Sequence, residues 1–323
     1  MKRPVLSEVV IILFIFFIFQ FSITTVAATA TEAPHVVPEH ALYLPLITYV
    51  DEQPRPGAEA TSTPPAATPN APDHAEVVSI PAGAFQMGCD SANPGEAGCT
   101  VYDWQAREQP LHSVNLDAYY IDRYEVTNAR YQACVAAGGC TPPARVDSWT
   151  RTDYYDNPAF AAYPVIYVTW QQASTFCAWE GKRLPTEAEW EKAARGADDT
   201  RKYPWGNAEP TCAIANFYDH TTATGCTGDT DRVGARPNGA SPYGVMDMAG
   251  NVWEWVNDRY AEGYYTVAPP GNPQGPASGA SHLLRGGAWD FQDFLLRTAF
   301  RYGSIAASYS AGNAGFRCVH TQW

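Results

Sequence analysis

Three stretches of the chain place apolar residues at helical spacing, each opened by a threonine and closed by glycine. The first runs from about Asn128 to Ala137, with Thr127 as N-cap and Gly138-Gly139 as the stop. The second begins after Thr169, carries Trp170, Ala173, Phe176 and Cys177 on its apolar side, and ends at Gly181. The third has Thr186 as N-cap with Glu189 three residues on, a capping box; Trp190 and Ala193 share a face and Gly196 closes it. Val77–Ile80 and Val114–Tyr119 read as strands, and Gly250–Trp255 alternates apolar and polar residues with two indoles on one side. The rest is short strands and turns rich in Gly, Pro, Asn and Asp. These elements predict an irregular, loop-rich α+β domain, a kind that needs disulfides or metals as staples.

The pattern differs before residue 76. Lys2 and Arg3 precede an unbroken apolar run from Val9 to Phe19, followed by small residues around Ala27, Ala28 and Ala30. This is the layout of a secretory signal peptide over 1–28, and the run is shorter than the roughly 20 apolar residues of a membrane span. Residues 29–75 are rich in Pro, Ala and Thr and read as a linker. Residues 76–323 are the folded domain. The protein is expected to be secreted, periplasmic or displayed at the cell surface, with membrane contact only if the signal segment stays uncleaved.

Composition is globular, 46% hydrophobic and 13% aromatic, with ten Trp and nineteen Tyr among 323 residues. A formal net charge of −13 argues against nucleic acid as a partner, because phosphate binding needs clustered Lys and Arg. The acidity suits solubility, or a hard cation at some of the carboxylates. In an exported protein the eight cysteines (Cys89, Cys99, Cys134, Cys140, Cys177, Cys212, Cys226 and Cys318) suggest disulfides, though their number alone leaves the pairing open. No C-x-x-C occurs, so a zinc ribbon or thioredoxin-type site is unsupported.

Ile80–Gly88, Tyr119–Asn128, Val168-Thr169-Trp170, Gly181–Glu191, Tyr203–Asn207, Tyr243–Trp255, Leu284–Trp289 and Gly315–Cys318 follow one another in the order and rough spacing of a known family. From about residue 76 to 320 the chain resembles the formylglycine-generating enzymes, or sulfatase-modifying factors. The resemblance implies a variant of the C-type-lectin-like fold. Oxygen-dependent members oxidise a substrate cysteine to formylglycine, using two copper-binding cysteines shortly after the Arg-Gly-Gly block; soft thiolates select Cu(I). Here the matching stretch, Ala288 to Arg297, is shorter and holds no cysteine, and none occurs between Gly287 and Cys318. Copper is therefore not expected.

The resemblance also implies a disulfide between Cys177 and Cys318. The other pairs are expected to be local: Cys134 with Cys140, Cys212 with Cys226, Cys89 with Cys99. Asp247, Gly250, Val252 and Glu254 resemble a calcium site of the family, two carboxylates and two carbonyls for a hard cation. Asn216, Phe217 and Asp229 form a second candidate set. His112, His220, His282 and His320 are scattered and read as structural or exposed; Asp258, Asp290 and Asp293 are candidates to pair as general acids, but nothing in their spacing selects them over solvated loop acids. The expectation is a non-catalytic, calcium-stabilised scaffold for a protein or glycan, contacting it through Trp253, Trp255, Trp289, Asp290, Phe291, Asp293 and Phe294. The alternatives are a formylglycine-generating oxidase acting on a sulfatase cysteine, and a ligand-binding protein diversified by a retroelement.

Overall fold

The caps read from the sequence bound three helices, α1 (Asn128–Ala136), α2 (Trp170–Trp179) and α3 (Glu187–Arg195), and the capping boxes at Thr169 and Thr186 are both formed. The computed structural model describes residues 76–92, 107–220 and 222–321. The expected signal peptide (1–28), the linker (29–75) and Cys99 lie outside the described residues. Among the described residues no helix is long and apolar enough to cross a membrane.

The expected strand Val114–Tyr119 is two strands, β3 (His112–Leu116) and β4 (Tyr119–Asp122). Leu116 and Tyr119 are both buried while Asp117 and Ala118 are exposed, so the alternation breaks at a corner. Before it, β3 pairs antiparallel with β2 (Gly83–Met87), burying Phe85, Met87, Val114 and Leu116. After it, β4 pairs with β1 (Val77–Ile80) on one side and β11 (Val319–His320) on the other. The first and last strands of the domain thus meet on one central strand.

A second sheet has the order β10 (Ala314–Phe316), β7 (Trp253–Arg259), β8 (Ser281–Arg285) and β9 (Tyr302–Ala306), with β10 parallel to β7 and the rest antiparallel. A short hairpin, β5 (Tyr218–Asp219) and β6 (Thr224–Gly225), completes the strands. Three disulfides staple this frame, Cys134–Cys140, Cys177–Cys318 and Cys212–Cys226, the pairs anticipated from the sequence. Cys89 is also disulfide-bonded.

All nine residues of α3 are buried, including Glu187, Glu189, Glu191, Lys192 and Arg195. Its charged side chains are met by countercharges and carbonyls. Arg285 reaches Glu187 at 3.0 Å and Glu191 at 2.6 Å, and Arg301 grips both oxygens of Glu187 at 2.7 and 2.9 Å. Lys192 donates to the carbonyls of Pro81 and Gly83. Buried charges persist only when paired in this way. Burial alone would raise the Glu187 carboxyl, but Arg301 and Arg285 outweigh it and hold it below the usual range.

Candidate functional site

The family resemblance directs attention to the stretch after Arg285. Gly286 and Gly287 leave β8 with φ of +96° and +79°, and a Cβ at Gly287 would fall on the Leu296 side chain. Glycine is needed there because the turn is left-handed and tight. The chain then docks on the loop before β7, Trp289 N–H donating to the Asn251 carbonyl at 3.0 Å. The Trp289 indole donates to the Gly312 carbonyl at 3.3 Å and lies 6.2 Å from the Trp149 ring. Asp290, half-buried, accepts from Asn313 Nδ2 on both oxygens, at 3.1 and 2.9 Å. The Phe291 ring meets Trp253 edge-on at 5.3 Å, and its carbonyl takes the Tyr218 N–H at 2.9 Å. Asp293 contacts His220 at 3.0 Å. Leu296 is buried, and Arg297 forms a two-pronged pair with buried Glu108 at 2.7 Å on each oxygen.

This geometry corrects part of the expected contact face. Trp253 and Trp255 are 1% and 0% exposed and belong to the main core cluster. Their strand, β7, has α2 residues Phe176 and Cys177 in the indole cluster and α3 residues Ala188 and Trp190 in the Val256 cluster, so both its faces are covered and alternation there does not mean exposure. Trp289 is buried apart from an edge, whereas Asp290, Phe291, Asp293 and Phe294 are half-buried and reach the surface. Trp149, Asn313 and Tyr309 join this neighbourhood without any sequence signal, because they come from segments far along the chain.

The side chains read as calcium donors have protein partners. Both oxygens of Glu254 accept from Arg317, at 2.6 Å each, and Oε2 also from Trp190 Nε1 at 2.9 Å. Asp247 Oδ2 accepts from Gly234 N–H at 2.6 Å. Gly250, with φ +85°, brings the backbone so close to Asn216 that a Cβ would strike its carbonyl. Asn216 Oδ1 accepts from Thr227 at 2.9 Å, and the Phe217 carbonyl from Cys226 N–H at 2.9 Å. Asp229 Oδ2 takes Ser148 and Thr150, and Oδ1 takes the Thr230 N–H.

Around Arg317 the three carboxylates of Glu125, Asp247 and Glu254 leave excess negative charge. Among the described residues, Glu125 Oε1 is buried without a partner. Burial pushes the carboxyls of Glu125 and Asp247 up, Asp247 to about 6, so protons can meet the excess. As they stand, the side chains of Glu254, Asp247, Asn216 and Asp229 are engaged by protein donors without an ion, and calcium at either set stays an expectation of the family resemblance. Stripping the protein with EGTA is expected to move its melting temperature by less than about 2 °C. A fall above about 5 °C, on the order of 1–2 kcal/mol for a domain of this size, would return the ion to these residues.

The acids and histidines outside this region have structural surroundings. Asp258 accepts the Glu187 N–H at 2.8 Å at the start of α3, and burial pushes its carboxyl up. His282 stacks on Trp170 at 4.1 Å, and burial pushes it down. His320 stacks on Tyr120 at 5.0 Å, and His112 lies 4.7 Å from the Tyr265 ring. Asp122 and Glu180, which approach Cys318, are paired with Arg130 and Lys182, and Cys318 is in its disulfide.

Comparison with known proteins agrees with this architecture. The chain is similar to the formylglycine-generating enzyme of Mus musculus, 31% identical over 290 residues, covering 76% of this chain and 74% of the relative. It is similar to that of Streptomyces coelicolor, 34% identical over 289 residues, covering 75% of this chain and 88% of the relative. The solved structure of PvdO from Pseudomonas aeruginosa matches with a TM-score of 0.59 at 28% identity, covering 76% of this chain and 94% of PvdO. The family model for the sulfatase-modifying factor enzyme 1-like domain matches residues 62–322, and with most of its length so matched, the chain belongs to that family.

Proposed function

We propose that this protein is an exported binding domain that has kept the family scaffold but does not make formylglycine, and that it contacts a protein or glycan through the surface around Asp290. The observation that carries this reading is how the stretch from Ala288 to Arg297 is filled. Ala288 and Leu296 are buried, Phe291 packs on Trp253, and Arg297 is tied to Glu108. The oxidising relatives are expected to hold their thiolate pair here, and among the described residues no cysteine is free. Without a thiolate the soft copper site of that chemistry has no ligands. Export is supported by the disulfides, which persist in oxidising compartments.

The test is incubation of a Cys-x-Pro-x-Arg peptide with the purified protein, copper, a thiol reductant and air, followed by mass spectrometry. The peptide is expected to come back unchanged while an oxidising relative converts it in parallel. Conversion of its cysteine to formylglycine by this protein would overturn the reading.

A further inference from the structure

Asp290 differs from the other acids on its side of the molecule. Glu254 has Arg317, Glu108 has Arg297, Asp229 has Arg151 at 3.1 Å, and Asp293 has His220. Among the described residues, no Lys or Arg pairs with Asp290; its side-chain partner is the Asn313 amide. Asn313 is 8% exposed, and having turned Nδ2 to Asp290 it leaves Oδ1 buried with no partner. An unmet buried acceptor is costly and calls for a donor. Two acceptors thus sit on neighbouring side chains: the half-buried Asp290 carboxylate, which takes Asn313 Nδ2 on both oxygens and its own backbone N–H, and the Asn313 amide oxygen.

We propose that Asp290 and Asn313 form a binding site for a primary ammonium group, a proposal that rests on the reading of this surface as the contact face. An ammonium is compact and brings three N–H donors, enough for Asp290 and Asn313 Oδ1 together. A guanidinium fork wants both carboxylate oxygens in one plane, and Asn313 Nδ2 already lies against both. A quaternary ammonium has no N–H to give Asn313. A divalent metal needs more anionic oxygens than one carboxylate supplies.

The surroundings sharpen the pH dependence. Burial pushes the Asp290 carboxyl up to about 6, with Asp229 adding to the rise. Tyr302 on β9 and Tyr309 in the turn after it also feel Asp290, and burial pushes both phenols up, Tyr309 to about 12, so they stay neutral between pH 5 and 8. Asp229 is held by Arg151, Ser148 and Thr150, and the His220–Asp293 pair lies on the neighbouring hairpin side. At pH 8 the site carries its charge; at pH 5 about a tenth of it remains.

The experiment is a titration followed by tryptophan fluorescence, with Trp149 and Trp289 as reporters. The probes are N-acetyl-lysine methylamide and n-butylamine at pH 8, with the Nζ-acetylated lysine derivative as the neutral control. Saturable binding of at least one amine is expected, absent with the acetylated control, about tenfold weaker at pH 5, and at least tenfold weaker in Asp290→Asn. Binding of the lysine derivative favours a protein side chain as the natural ligand; binding of butylamine alone favours a free amine. Asn313→Leu, checked for folding by near-UV circular dichroism, should weaken binding likewise and covers the case of an unfolded Asp290→Asn. The proposal is overturned if neither amine saturates, if the acetylated control binds equally, or if folded variants bind like the parent. No thiol substrate is present, so this outcome stands apart from that of the peptide oxidation assay.

Discussion

Replacing Arg285 with methionine is expected to destabilise the domain by about 3–5 kcal/mol at pH 7, read from the midpoint of urea unfolding. Arg285 is fully buried, and its guanidinium joins Glu187 and Glu191 on α3 to the carbonyls of Thr298 and Ala299. Methionine fills much of the volume but supplies no charge and no donor. Glu187 would keep Arg301, whereas Glu191 would keep only the Gly88 N–H at 2.8 Å and Arg195 at 3.4 Å. The cost is therefore that of a buried carboxylate stripped of its main partner, and adding Glu191→Gln should recover part of it. The pH dependence has a definite sign. Glu187 is held below its usual range, so it contributes stability above its unfolded pKa near 4.5, and that contribution is lost as pH falls through its lower folded value. The gap between parent and variant should hence narrow below about pH 4.5. A loss under about 1 kcal/mol at pH 7 would mean that α3 is not held by this pairing.

That helix shows where sequence reading succeeds and where it stops. Thr186 and Glu189 announce the start of α3 because a capping box is local, satisfied within four residues. The partners of its charged face come from about one hundred residues away, Arg285 and Arg301, and nothing near α3 signals them. The same division runs through the candidate site. The Arg-Gly-Gly turn and the missing thiols are legible in order along the chain. That Asn313 reaches Asp290, or that Arg317 pairs with Glu254, depends on parallel pairing of β10 with β7, a non-local choice. The burial of Trp253 and Trp255 was hidden for a related reason. A strand with alternating residues reads as half-exposed, but here α2 packs on the indole face and α3 on the other, where Glu254 meets Trp190 and Arg317.

Removing the Cys177–Cys318 bridge with paired alanines is expected to cost about 4–5 kcal/mol, and removing Cys134–Cys140 about 2 kcal/mol. In the chain-entropy account the loss grows with the loop closed, and the separations are 141 and 6 residues. The longer bridge also fixes a structural junction. Cys177 lies on α2, and Cys318 immediately precedes β11, whose pairing with β4 brings the last strand beside the first. The Cys318 carbonyl accepts the Asp122 N–H at 2.9 Å, and Arg183 exchanges two backbone hydrogen bonds with Val319, at 2.9 and 2.8 Å. These contacts survive the substitution in the folded state, so the native structure should persist and the change should appear as a freer unfolded chain. Guanidinium unfolding of the two double variants tests the order of the losses, and hydrogen exchange at β4 and β11 tests whether the junction stays closed. If the Cys134–Cys140 variant lost more stability, or β11 exchanged freely below the unfolding midpoint, the bridge would be acting on the folded state. Its worth would then lie in holding the C-terminal strand in place and not in the length of chain it closes.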